Sequence, residues 1–421
     1  MSDQVDLITQ VQNKILAELG LSSVELWRRG DEMRSHVQER CKAILSDTKP
    51  DLPDERRAQM CEQVVAELLG YGPLESLLAD GAVDEIMVNG PKAIYVEREG
   101  RLVKTAASFR NDEHLLSIIR RIVEPTGLHL DEATPMIDAR LSDGSRVNAV
   151  IPPIAVTGPA LTLRRFSREP ITVEQMIEWG VVSEDAITFL RACVVGRINL
   201  VVAGSTGSGK TTFLRRVIDM IPQEERIVLI QAIDEMMIER KRLVKLEGRP
   251  ADIEGKWEIT TRDLVNNSRN MRPDRIIVGE VQGDEALDVL QLMNRGHEGS
   301  MFSIHAANPR DVLERLERFV LTANPSLPVL SIRQQMASAV DLIVFLERVR
   351  DGSRKVVGVT EVQGLEGNTI VMQDIFLFEQ TGLIHGRVIG RLRATGLIPR
   401  FFSRFAERGI DLPVELFALK P

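Results

Sequence analysis

The segment Gly204-Ser205-Thr206-Gly207-Ser208-Gly209-Lys210-Thr211 carries the clearest chemistry in this 421-residue sequence. It fits the pattern G-x-x-x-x-G-K-[ST], in which a glycine-rich loop curls so that successive N–H groups point at phosphate oxygens. A helix starting there adds the positive end of its dipole. Gly204, Ser205, Thr206, Gly207, Ser208 and Gly209 are then expected to cradle the phosphates, with Thr212 closing the motif. Lys210 would bridge the β- and γ-phosphates and the Thr211 hydroxyl would ligate Mg²⁺. The implied ligand is a nucleoside triphosphate, ATP, with Mg²⁺.

Two more residues belong with that loop. Ile276-Ile277-Val278-Gly279-Glu280 is an apolar run ending in a carboxylate, as required at the C-terminal edge of a parallel sheet. Glu280 is expected to polarise the water that attacks the γ-phosphate, directly or through the Mg²⁺ shell, which also makes it a candidate metal ligand. His305 ends another short run, Ser303-Ile304-His305-Ala306, and is expected on the same side of the sheet, against the γ-phosphate. A satisfied structural histidine is the competing role.

These side chains need a frame, and the chain supplies a graded one. Residues 1–69 carry apolar positions at helical spacing, broken at Gly20 and at Lys49-Pro50-Asp51-Leu52-Pro53, which predicts three helices as a bundle or appendage. Residues 70–168 change texture to short β-rich runs at 85–88, 93–97, 146–151 and 160–164, with a helix at 114–123, predicting an α+β domain. Ser167-Arg168-Glu169-Pro170 is expected to be a linker, and the 165–171 stretch a hinge. From 169 to 421, apolar runs at 198–203, 227–230, 276–278, 301–304 and 342–346 alternate with helical stretches. That alternation predicts an α/β domain whose parallel sheet is covered on both faces. Runs at 354–362 and 369–378 predict a late β-hairpin. Residues 386–421 hold seven basic and three acidic residues, with Phe401, Phe402 and Phe405 interleaved. They are expected to form an end-capping helix on the third domain, or alternatively an amphipathic docking helix for a membrane partner.

Composition excludes several classes. Hydrophobic residues make up 43% and charged residues 27%, which is ordinary globular material. A net charge of −8 opposes direct nucleic-acid binding. The three cysteines are too few and too scattered for a disulfide framework or a zinc site, and suit the reducing cytosol. No membrane span is expected, and the acidic N-terminus does not suit a secretory signal.

The phosphate loop, the run from Met271 to Glu280 and the Ser303–Ala306 box together resemble the type II/IV secretion ATPases, and most closely the CpaF, or Tad-pilus assembly, branch. Upstream, Gly70-Tyr71-Gly72-Pro73-Leu74, Glu85-Ile86-Met87-Val88-Asn89-Gly90, Asp143-Gly144-Ser145-Arg146-Val147-Asn148 and Leu161-Thr162-Leu163-Arg164-Arg165-Phe166 are similar to the same branch. The resemblance implies a RecA-like P-loop motor domain below a mobile N-terminal domain, with nucleotide between them. It also implies a hexameric ring in the cytoplasm at the inner membrane, associated peripherally through platform proteins and driving pilus assembly, retraction or secretion. Arg146, Arg164 and Arg165 match family motifs and are implied to approach the phosphates.

Departures from the family pattern shape a second reading. Gln231 and Ala232 stand where the family has an acidic pair, and only Glu235 downstream matches an acid of that box, with Asp234 as a possible substitute. Asn270 and Gln282 replace expected arginines. Loss of a positioned acid typically costs about 10²–10⁴ in rate. The alternative to a working motor is therefore a catalytically weakened nucleotide-binding subunit, paired in a mixed ring with an intact paralogue or acting as a regulatory scaffold. A third reading, a RecA-like nucleic-acid motor, is opposed by the charge and by the absence of interleaved basic and aromatic residues.

Overall fold

The computed structural model describes all residues except 1, 99–100, 142–143, 166–170, 234–235, 237, 250, 252–255, 385 and 420–421. Asp143, Phe166, the expected linker, most of the expected hinge, Asp234 and Glu235 lie outside the described residues. The chain divides into two compact units, Met1–Arg168 and Glu169–Pro421.

The first unit opens with helices α1 (Ser2–Leu19), α2 (Ser23–Thr48) and α3 (Asp54–Leu69). Gly20 at φ +63° ends α1, and a capping box between Ser22 and Glu25 starts α2. Gly30, at φ 44°, kinks α2 about two turns from its start. Val11, Ile15, Val37, Leu45, Met60 and Val64 bury against one another, and so do Cys41 and Cys61. The short α4 (Glu75–Ala79) leads into strands β1 (Glu85–Asn89), β2 (Ile94–Arg98) and β3 (Arg101–Lys104). Helix α5 (Asp112–Val123) and strands β4 (Met136–Arg140), β5 (Arg146–Val150) and β6 (Ala160–Arg164) follow. The strands form one antiparallel sheet in the order β3-β2-β1-β6-β5-β4, and Leu115, Ile118, Ile119 and Ile122 of α5 share its core. The helical segment is bound into this unit: His114 Nε2 is 2.7 Å from Glu67 Oε2, and Arg121 donates to the Glu67 carbonyl at 2.7 Å.

The second unit begins with α6 (Val173–Glu178) and α7 (Glu184–Val195), then β7 (Leu200–Gly204), α8 (Lys210–Asp219), β8 (Ile227–Gln231) and β9 (Leu243–Glu247). It continues through α9 (Thr261–Ser268), β10 (Arg275–Val281), α10 (Glu285–Asn294), β11 (Met301–His305), α11 (Pro309–Ala323) and α12 (Val329–Ala339). Strands β12 (Leu342–Arg348), β13 (Arg354–Glu366), β14 (Thr369–Ile384) and β15 (Arg387–Ala394) precede the short helix α13 (Ser403–Glu407). The sheet order is β15-β14-β13-β12-β7-β11-β10-β8-β9. From β12 to β9 the pairs are parallel, and from β12 to β15 antiparallel. This is the expected RecA-like α/β layout with an antiparallel extension.

Side chains of β7 alternate between two cores. Leu200 and Val202 join α7, α8 and the C-terminal segment on one face, while Val201 and Ala203 join α10, α11 and α12 on the other. Burial on both faces explains why these strands read as unbroken apolar runs. Arg275, fully buried at the start of β10, binds Glu225 through two bonds of 2.7 and 2.9 Å.

The C-terminal expectation is corrected. Residues 387–394 form the edge strand β15, not part of a helix, and only short helical turns follow. Phe401, Phe405 and Phe417 bury around Phe189 of α7, with Phe189 and Phe417 centroids 5.4 Å apart. These rings are core, which removes the docking-helix alternative. Cys193 is likewise buried in α7, so all three thiols are free and buried. Among the described residues no helix is long and apolar enough to cross a membrane.

Candidate nucleotide site

Strand β7 lies between β11 and β12, and its next strand in sequence, β8, lies beyond β11 and β10. Chain connections therefore diverge at the C-terminal end of β7, where open α/β sheets leave a ligand crevice. The loop 204–209 leaves the sheet at that point. Gly204 must be glycine: a Cβ there would stand 2.2 Å from the Leu346 carbonyl oxygen and 2.6 Å from Ser208 Oγ. Gly207 and Gly209 take φ +74° and +92°, a left-handed backbone that bulkier residues resist.

Helix α8 starts on Gly209, whose carbonyl accepts from Phe213 N–H at 2.9 Å, and no side chain caps it. The N–H groups of Lys210, Thr211 and Thr212 thus have no acceptor within the helix and suit an anion. Lys210 Nζ donates to the Ser205 carbonyl at 3.2 Å and stands 3.8 Å from Glu280 Oε1. The ammonium is therefore folded across the loop mouth between a carbonyl and a carboxylate, a place a phosphate oxygen can take over.

Glu280 owes its position to an irregularity. The register of β10 against β11 shifts between Val278 and Val281, and Ser303 Oγ donates to the Gly279 carbonyl at 2.5 Å. Gln282 Nε2 donates to Glu280 Oε2 at 2.6 Å, so one of the departures from the family pattern steadies the carboxylate. Gln231 ends β8 and is 5% exposed, and a Cβ on Gly279 would meet its Cγ at 2.9 Å. His305 ends β11, register-paired with Gly204, and is half-buried beside the loop.

The remaining predicted residues belong to the first unit. Arg146 and Arg164 are cross-strand partners on β5 and β6, and Arg140 pairs with Arg146 from β4. Three arginines thus stand in one row on one face of the sheet, bordered by Glu85 opposite Arg164. Burial raises the Glu85 carboxyl, with Arg164 opposing that shift. Arg146 is held by Asp138 through bonds of 2.9 and 2.7 Å. Arg165 is different: its guanidinium donates to the Asp80 and Val83 carbonyls, which fixes the turn before β1. Arg140 had no sequence signal, because its place in the row comes from the β4–β5 register. Arg348 and Arg354 were also missed; Arg354 Nε donates to the Gly207 carbonyl at 3.0 Å.

Among the described residues, no group of three or more His, Cys, Asp or Glu residues is able to hold a metal ion. The Thr211 hydroxyl and the Glu280 carboxylate are hard oxygen donors, of the kind Mg²⁺ takes beside phosphate oxygens.

Residues 67–393 match the family described as type II/IV secretion system protein, and residues 5–69 match the N-terminal domain of type II secretion system protein E. A Mycobacterium tuberculosis protein named for conjugal transfer is 33% identical over 307 residues, covering 72% of this chain and 87% of that one. The conjugal transfer protein TrbB of Rhizobium radiobacter is 31% identical over 295 residues, covering 69% and 87%. The solved VirB11 ATPase of the Brucella suis type IV secretion system, in complex with sulphate, is 28% identical, covers 68% of this chain and 94% of its own, and has a TM-score of 0.38.

Proposed function

Because the chain belongs to the type II/IV secretion system protein family, we propose that it is a motor ATPase that converts ATP hydrolysis into work on a secretion or pilus machine. The observation that carries the reading is Lys210 Nζ standing 3.8 Å from Glu280 Oε1 at the loop that opens helix α8, with His305 of β11 register-paired with Gly204 where that loop begins.

In this reading the loop amides and the α8 N-terminus bind the triphosphate, and Lys210 exchanges its contacts with Ser205 and Glu280 for β- and γ-phosphate oxygens. Thr211 and Glu280 would hold Mg²⁺, which when bound would neutralise charge on the phosphates. Glu280 orients the attacking water and takes up its proton, while His305 contacts the γ-phosphate side of the loop. Arg146 and Arg164 are the arginines proposed to neutralise developing charge. Arg146, held by Asp138, and Arg165, holding two carbonyls, would have to exchange those contacts to take part.

At the level of assembly we propose a homohexamer acting in the cytoplasm against the inner membrane, coupled to platform proteins, with the Tad-pilus branch as the specific system. Residues 1–69, 70–168 and 169–421 would then serve as helical appendage, mobile N-terminal domain and motor, and direct nucleic-acid binding is not expected. The test is Mg²⁺-dependent phosphate release by the full chain, assembled as a ring, against a Lys210→Ala control. Release above the control supports the motor. A chain that binds ATP yet releases nothing above the control is instead the catalytically weakened subunit that Gln231 and Ala232 left open.

A further inference from the structure

The hairpin between β12 and β13 brings two guanidinium groups to the phosphate loop from outside the motif. Arg348 ends β12, Arg354 opens β13, and the two are cross-strand partners. Strand β12 runs parallel to β7 with Leu346 opposite Gly204, so its next two residues overhang the loop. Arg354 Nε donates to the Gly207 carbonyl at 3.0 Å, and its Cδ lies 3.1 Å from where a Cβ on Gly209 would stand. Arg348 Nη1 lies 3.8 Å from the corresponding point on Gly207.

The hairpin is braced. Asp351 in its turn accepts from Ser353 N–H at 2.8 Å and from Val388 N–H of β15 at 2.6 Å. Its two arginines are therefore presented by a tied turn of the sheet extension. The Gly207 bond has a consequence of its own. The Gly207–Ser208 peptide has its carbonyl turned toward Arg354 while Ser208 N–H reaches the Ser205 carbonyl at 3.2 Å. A flipped peptide would aim an oxygen lone pair into the space meant for phosphate.

We infer that this hairpin is a phosphate clamp acting within its own chain: Arg354 is a positioning residue that holds the loop open for anions, and Arg348 adds cationic wall to the same site. The inference rests on the nucleotide-binding reading above. It assigns a role to residues more than a hundred positions from the motif.

The test uses the full chain, fluorescent ATP and ADP analogues with Mg²⁺, and steady-state hydrolysis. Loss of one charge-assisted hydrogen bond predicts that Arg354→Ala weakens both nucleotides about tenfold and raises KM in step, with kcat at saturation nearly unchanged. Arg354→Lys, which keeps the charge and a donor, should recover at least half of the loss on a logarithmic scale. Arg348→Ala should weaken both nucleotides about threefold without lowering the melting temperature of the nucleotide-free protein. Wild-type affinity in both alanine variants overturns the clamp, and if Arg354→Ala does not fold, wild-type affinity in Arg348→Ala overturns it alone. Wild-type protein that binds no better than Lys210→Ala defeats the nucleotide reading itself, which is a separate result.

Discussion

Replacing Glu280 by Gln separates two effects that usually move together. The substitution keeps the side-chain shape but removes the charge and the ability to accept a proton from water. Loss of a positioned general base lowers turnover by about 10²–10⁴. Binding should move the other way. Lys210 Nζ and Glu280 Oε1 stand 3.8 Å apart, with side chains 10% and 34% exposed. At that distance two unit charges attract by about 1 kcal/mol in water and about 4 kcal/mol at an effective dielectric of 20. The exposure of Glu280 keeps the usable part near the low end, about 1 kcal/mol. Phosphate must displace this contact, so neutralising the carboxylate should tighten ATP binding by up to about fivefold. The assay is paired: phosphate release at saturating ATP, and Kd for ATP with Mg²⁺. Turnover within threefold of wild type would remove Glu280 from the chemistry, and markedly weaker binding would show that the carboxylate helps hold the nucleotide through its metal instead.

Gly279→Ala places a Cβ 2.9 Å from Gln231 Cγ, so it should cost about 1–3 kcal/mol of stability and depress hydrolysis by displacing Glu280. Adding Gln231→Ala should restore most of both losses, as read by chemical denaturation and phosphate release. Arg275→Ala takes the bidentate partner from the largely buried Glu225 and leaves it Arg197 at 3.1 Å, so it should destabilise the second unit by about 3 kcal/mol, the low end for a broken buried pair, measured as a lower denaturation midpoint. Burial pushes the Asp351 carboxyl up, but hydrogen bonds from Ser353 and Val388 outweigh it and hold the group below its ordinary 3.8. A lowered folded pKa means stability that is fully present above the unfolded value and drains as pH falls through the folded one. Acid titration below about pH 4 should therefore loosen the β12–β13 turn, and Asp351→Asn should flatten that limb of the stability curve.

The central strands of the second unit were legible because both of their faces are buried, so β7, β8, β10, β11 and β12 each announce themselves as short apolar runs. The phosphate loop was legible because its spacing is dictated by backbone geometry rather than by neighbours. Where burial fails, so does the signal: β3 is exposed throughout, and β9 is an edge strand with a half-polar pattern. Residues brought in by hairpin register were invisible for a different reason. Nothing local to Arg354 says that Gly207 lies 3.0 Å from its Nε, and nothing local to Arg140 says that it joins Arg146 and Arg164. The C-terminal phenylalanines misled by spacing: positions 401, 402 and 405 fit a helical stripe, yet Pro399, Gly409 and Pro413 confine the helix to one turn. Their stripe turns inward to Phe189. Gln282 looked like a loss, and in place it grips Glu280.

The buried thiols carry a practical consequence. Burial comes first in raising the Cys41 and Cys193 thiols, and both are poor thiolates as a result. Native cysteines should therefore give little background to maleimide dyes. An engineered pair, Lys104→Cys in the exposed strand β3 and Asn368→Cys in the exposed β13–β14 turn, would place one fluorophore on each unit. Energy transfer between them, followed with and without ATP, would test whether nucleotide changes the distance between the two labelled positions in an otherwise native chain.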